Sequence, residues 1–354
     1  GINARLRNRA ALVSGALIAQ FPDSGKGLAV AFTFSRSKPM ASEQFEPLIV
    51  GVSTRALFNL EEEHRVFEQH GVEAYASLQR EREQALLQKG AAFEVVSRLL
   101  DLNRDQPHRL VEVIILSQNS PDLSLRAFSS VEHYGLPIAK GSFTSGRCVG
   151  SLIPAWGIDL FLSNDEADVR SAAKSGAAAA KLGALAFTAQ STPSDEVRIA
   201  LDGDAVVFDA ESERLYQEAG LDAFLKHEKA NAQVPLKQGP FGNFLCKLAG
   251  VRAKVVRADG SSRVRIAIVT ARNAPAHARV VHTLRAWGTP ADEAHFVGNH
   301  DKGPILAAID AHIFFDDQER HVLSASQLVS AGLVIGDPAN EVQIVDGGIG
   351  GTGA

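Results

Sequence analysis

Cysteine is almost missing from this sequence: Cys148 and Cys246 are the only two in 354 residues, and they are far apart. That excludes a cysteine-ligated zinc site, fits a reducing compartment such as the cytoplasm, and leads us to expect two thiols buried in cores. Basic excess is missing too. The formal net charge is −5, with no long Lys/Arg run, which argues against a nucleic-acid partner while leaving room for a local pocket for a small anion. No stretch reaches the roughly 20 apolar residues needed to span a bilayer, so a soluble protein with no membrane partner is expected. Arg5, Arg7 and Arg9 ahead of the apolar run 10–19 imitate a secretory leader. Ser14 and Gly15 interrupt that run and no convincing cleavage site precedes Pro22-Asp23, so it reads as a first helix. Familiar ligand motifs also fail. DSGKG at 23–27 lacks the spacing of a P-loop, no GxGxxG follows a strand, and the eleven histidines contain no HExxH.

What is present is a sizeable core, at 45% hydrophobic residues, and a regular alternation. Apolar runs suited to strands occur at 28–34, 48–52, 111–116, 158–162, 198–201, 264–269, 311–315 and 331–335. Amphipathic stretches lie at 61–78, 124–134, 211–227, 276–287 and 319–329. Strand alternating with helix predicts an α/β fold with a mainly parallel, Rossmann-like sheet. Punctuation at 190–196 (QSTPSDE) marks an internal boundary, and GGIGGTGA at 347–354 reads as a flexible tail.

The two sides of that boundary resemble each other. VSTRALFNLEEEHRVFEQHGVEAY (52–75) aligns with LDGDAVVFDAESERLYQEAGLDAF (201–224) without a gap, pairing Ala56 with Ala205, Arg65 with Arg214 and Gly71 with Gly220. Residues 115–137 align with 268–290, pairing Arg126 with Arg279 and Gly135 with Gly288, and 160–169 align with 313–322. Three blocks in one order predict two tandem related units. We place the first at 28–189, after an N-terminal segment 1–27, and the second at 190–340, before a tail 341–354. Where the copies differ, charge is lost from the first: Ser53 faces Asp202, Arg55 faces Asp204, Ser117 faces Thr270, Val149 faces Lys302, Ser163 faces Asp316, and Asn164 faces Asp317. The first unit is therefore expected to be a degenerate copy that is structural or mediates self-association into a homo-oligomer.

In a doubly wound sheet, ligands collect at the carboxyl ends of strands. Asp202-Gly203-Asp204, Thr270 and Asp316-Asp317 each follow a strand-like run. A single Asp in such a place is commonly a helix N-cap, and a single Lys commonly a solvated one. Together they make an oxygen-rich site suited to Mg²⁺, with Lys302 and Thr270 able to hold a phosphate.

The order DxD, Thr, Lys, DD resembles the haloacid-dehalogenase-like phosphohydrolases. More narrowly, LDGDAVVFDAESER, LDAFLKHEKANAQVPLKQGPFGNFL, VTARNAPAHARVVHTLRAWG, KGPIL and IFFDDQERHV resemble the cytosolic 5'-nucleotidase type I family, and the likeness covers about 48–330. Leu201 departs from the Phe usual there. The resemblance implies a nucleoside monophosphate substrate, Asp202 as the nucleophile and Asp204 as the acid and base. It implies Mg²⁺ on Asp202, the Asp204 backbone carbonyl, Asp316 and Asp317, with Lys302 and Thr270 on the phosphate. It also implies a small cap insertion at about 209–263, and substrate contacts for which Gly203, Phe208, His227, Lys229, Ala271 and Arg272 are the candidates. Two alternatives stay open: a phosphatase or phosphotransferase for another small phosphomonoester, and a nucleotide-sensing protein with a regulatory first half.

Overall fold

Seven of the eight apolar runs fall within residues 45–183 and 195–336, the residues that the structure, a computed structural model, describes, and each forms a strand of one sheet. The expected helix at 10–19, the strand at 28–34, most of the 190–196 boundary and the tail lie outside the described residues. In chain order the strands are β1 (Leu48–Val52), β2 (Phe58–Asn59), β3 (Gln88–Lys89), β4 (Val111–Ser117), β5 (Lys140–Phe143) and β6 (Leu160–Ser163). They continue with β7 (Ala178–Leu182), β8 (Val197–Leu201), β9 (Val264–Thr270), β10 (Glu293–Phe296), β11 (Ile313–Asp316) and β12 (Ala331–Val334).

The sheet has ten strands in the order β10-β9-β8-β11-β12-β7-β6-β1-β4-β5, and β2 pairs only with β3. Every neighbouring pair in the large sheet is parallel except β12 with β7. Numbered within its own half, each set of five strands has the order 3-2-1-4-5, that of a doubly wound α/β sheet. The two sets meet through their fifth strands. Buried Ile114, Leu116, Phe161 and Val169 form a core on the first set, and Val269, Phe314, Leu306 and Val329 form one on the second.

The helices expected at 61–78 and 211–227 form as Glu61–Glu81 and Glu211–Ala230, but each is broken at a glycine. Gly71 has φ 78° and ψ −171°, Gly220 φ 76° and ψ 178°; only glycine adopts that region without strain. The matched glycines thus mark one bend made twice. The cysteines correct an expectation, because Cys148 is exposed and Cys246 only half-buried. Cys148 precedes Val149, which takes the core position instead, and Cys246 lies on the flank of helix Gly242–Lys254, whose buried face is Phe244, Leu245 and Leu248. Among the described residues no helix is long and apolar enough to cross a membrane.

Candidate active site

A 3-2-1-4-5 set opens a crevice where its first and fourth strands part, at their carboxyl ends. In the second half those strands are β8 and β11, which deliver Asp202 and the pair Asp316-Asp317. One carboxylate oxygen from each of the three lies within 4.8 Å of the others. Asp202 is fixed by its backbone, whose N–H donates to the Phe315 carbonyl at 2.8 Å. It leads a π-helical turn, Gly203–Val207, yet its side chain caps no backbone N–H. Ser53 and Asp165, at other strand ends, do cap, accepting from the N–H groups of Ala56 at 3.1 Å and Asp168 at 2.8 Å. Capping therefore does not account for Asp202.

Lys302 is 1% exposed, and its Nζ donates to Asp202 Oδ1 at 2.7 Å and to Asp316 Oδ2 at 2.6 Å. Burial alone would lower its pKa, but the two carboxylates outweigh that and raise it. Burial pushes Asp202 up to about 7, against the pull of Lys302. Burial, then the charges of Asp202 and Asp316, push Asp317 up to about 8. Asp316 goes the other way: burial works to raise it, but the hydrogen bond to His321, 3.1 Å away, and the charge of Lys302 hold it below its ordinary value. Two of the three acids share the Lys302 ammonium, and Asp317 receives no hydrogen bond from it. Asp317 Oδ1 is buried with no hydrogen-bond partner, so a donor set made only of oxygen, with one oxygen unsatisfied and excess negative charge, fits a hard divalent cation.

Thr270 ends β9 beside this group, buried, with Oγ1 accepting from the Arg272 N–H at 3.3 Å. A Cβ on Gly203 would stand 3.0 Å from that Oγ1, so glycine permits the close approach of the two loops. The Asp204 side chain lies outside the carboxylate group. Arg272 grips it with Nε at 2.8 Å and Nη2 at 2.6 Å, and bonds Glu228 with Nη1. Glu228, fully buried, also receives Arg279 Nη1 at 2.9 Å and the Ser212 hydroxyl at 3.0 Å.

The sequence-predicted residues divide clearly. Asp202, Lys302, Asp316 and Asp317 come together, with Gly203 and Thr270 in contact beside them; Arg272 and Asp204 form the next layer. Phe208 is a core residue packed on Trp287 at a centroid distance of 5.6 Å. His227 is half-buried, 3.4 Å from Arg279, while Lys229 and Ala271 are exposed. Sequence reasoning missed Glu228, Arg279 and His321 as site residues. The coincidence of Arg126 with Arg279 was the available signal for one of them.

A parallel α/β sheet with acids from two adjacent strand ends around a buried lysine is the kind of crevice in which doubly wound folds collect their ligands. The 5'-nucleotidase family profile matches residues 40–341, and the chain belongs to that family. Cytosolic 5'-nucleotidase 1B of Homo sapiens is 34% identical over 308 residues, covering 84% of this chain and 50% of the relative. The chain spans about half the length of that curated relative. No solved structure matches the chain.

Proposed function

We propose that the chain hydrolyses nucleoside 5'-monophosphates to nucleoside and phosphate, in the cytoplasm, through a phosphoryl group carried on Asp202. The observation that carries this reading is Asp202 itself: buried, free of capping, hydrogen-bonded to Lys302 and set among carboxylates at the crevice of a family member's sheet. Mg²⁺ held by Asp202, Asp316, Asp317 and the Asp204 carbonyl would neutralise phosphate charge that the acids would otherwise repel. Asp202 attacks phosphorus, the bond to the nucleoside O5' breaks, and one difficult displacement becomes two easier ones. Lys302 orients Asp202 and faces the phosphate, and the Thr270 hydroxyl holds a phosphate oxygen.

Asp204 protonates the departing O5' and later takes the proton of the water that releases phosphate. Arg272 engages both of its oxygens, so this acid acts when the pair opens. We read residues 209–263 as a cap over the site, because Glu228, on its first helix, bonds Arg272 and would carry a movement of that helix to Asp204. The first half reads as a duplicated unit that has lost the chemistry. Phosphate release from AMP, IMP, UMP and a sugar phosphate, with Mg²⁺ or EDTA, by wild type and Asp202→Asn tests the proposal. Metal-dependent release from nucleotides that the variant lacks is the expected result. No release from any nucleotide, or a variant within tenfold of wild type, would overturn it.

A further inference from the structure

The first half has a hollow where the second has its acids. A cavity of about 310 Å³ lies at the carboxyl ends of β1, β4 and β6, against helix Glu61–Glu81, a volume at the lower end for small-molecule pockets. Ser53, Ser117 and Ser163 line it at the positions matched to Asp202, Thr270 and Asp316. Its floor is neutral and already ordered. Thr54 Oγ1 and Ser117 Oγ share a 2.6 Å hydrogen bond, and Asn119 Nδ2 donates to both at 3.1 Å. Ser120 Oγ, also in the lining, is buried with no partner.

Charge in the lining argues against a phosphate. Arg55 is tied to Glu61 by two bonds of 2.6 and 2.8 Å, and Asp165 and Asp168 add negative charge. Burial raises the Asp168 carboxyl, against the hydrogen bond from Gln118. His64, also in the lining, lies 3.3 Å from Glu68, so among the described residues a dianion entering here would shed water with no unpaired cation to replace it. The outer wall, in contrast, is aromatic. Phe67 and Tyr75 line the cavity and meet edge to face at 6.1 Å and 84°, and the matched Tyr216 and Phe224 of the second half do so at 6.1 Å and 82°. The aromatic pair is kept while the phosphate-holding groups are gone.

We propose that this cavity binds a neutral nucleoside, with its flat ring against Phe67 and Tyr75 and its sugar hydroxyls on the serine and asparagine floor. The choice of nucleoside among neutral ring-bearing sugars rests on the nucleotidase reading, which makes it the product released at the other site. The geometry assigns it a separate place to bind.

Calorimetric titration of the intact chain with adenosine, inosine and uridine tests this. Saturable binding is expected at or below about 1 mM, weakened at least tenfold by Phe67→Ala, weakened severalfold by Ser120→Ala, and changed less than twofold by Asp202→Asn. Phe67 is 44% exposed and Ser120 Oγ has no partner to lose, so both variants should fold and keep wild-type phosphate release, with Phe67→Ala melting slightly lower for the loss of its contact to Tyr75. AMP binding to the Asp202→Asn chain should be indifferent to Phe67→Ala. Nucleoside binding that is absent, or that survives Phe67→Ala unchanged, would overturn the proposal, as would AMP binding that Phe67→Ala weakens as much as adenosine binding. Phosphate release without nucleoside binding defeats this proposal alone; nucleoside binding without phosphate release defeats the nucleotidase reading alone.

Discussion

Arg126 in the first half and Arg279 in the second hold matched places and hold them with exchanged partners. Each donates Nε to a loop carbonyl, Arg126 to Ala85 at 2.6 Å and Arg279 to Val234 at 2.9 Å. Arg126 then bonds Glu63 at 2.7 Å and Gln79 at 3.2 Å, whereas Arg279 bonds Glu228, matched to Gln79, and Ser212 stands where Glu63 did. A buried guanidinium needs a carboxylate, and either end of the bent helix can supply it. In the second half the acid sits at the end that also reaches Arg272, and through it Asp204. In the second half the packing arginine is thus linked by hydrogen bonds to the candidate site, a difference that the strand order does not reveal.

The largest expected effect contrasts the two strand ends directly. Asp202→Asn should cut phosphate release at least about a thousandfold, whereas Ser53→Ala, at the matched position, should leave the rate within about twofold while costing about 1 kcal/mol as a lost cap. A hundredfold rate loss in Ser53→Ala would break the contrast. Next come the paired arginines. Arg126→Met strands Glu63, whose other partner Arg82 is 3.6 Å away and half-exposed, and should cost about 3–5 kcal/mol in urea denaturation. Arg279→Met should cost less, because Glu228 keeps Arg272; equal or reversed costs would refute the exchange of partners described above.

A third contrast is one of acid sensitivity. The Ile49 N–H donates to Asp159 in the first half, and the Arg198 N–H donates to His312 Nδ1 at 2.9 Å at the matched place in the second. Burial, then the Arg98 charge, depress His312 to about 4. The folded state therefore resists the proton that the unfolded chain accepts below about 6.5. Stability present above pH 6.5 should be lost as the pH falls towards 4, by up to about 3 kcal/mol. His312→Asn, which keeps an acceptor and removes the titration, should flatten that slope; an unchanged slope would rule His312 out. The smallest effect should be the most even. Gly71→Ala and Gly220→Ala should each cost about 1–3 kcal/mol, and a cost in one half only would show that the two bends differ in role.

The strands and the acids at their ends were legible in the sequence because apolar runs alternate with amphipathic stretches and two of those runs, at 198–201 and 311–315, are followed directly by aspartates. The strands of the large sheet that escaped notice have physical reasons for it. β5 (KGSF) and β10 (EAHF) are the sheet's two edges, short and polar, and β7 (AAAKL) is built mainly of alanine, a weak strand former. Small residues suit β7 where it packs against Gly332 of β12, whose added Cβ would stand 3.0 Å from Ala180. The Arg272–Glu228 link was unreadable because a glutamate near the end of a charged helix looks solvated. Suspicion fell on His227 and Lys229, one residue to either side of the buried one.

The single antiparallel joint between β7 and β12 has a consequence for traffic. Strands point one way in the first set and the reverse way in the second, so the hydroxyl-lined hollow and the acid cluster open on opposite rims of one continuous sheet. On the two proposals above, a nucleoside released at the acid rim would reach the hollow by going round the sheet, so the hollow would respond to the nucleoside concentration around the protein.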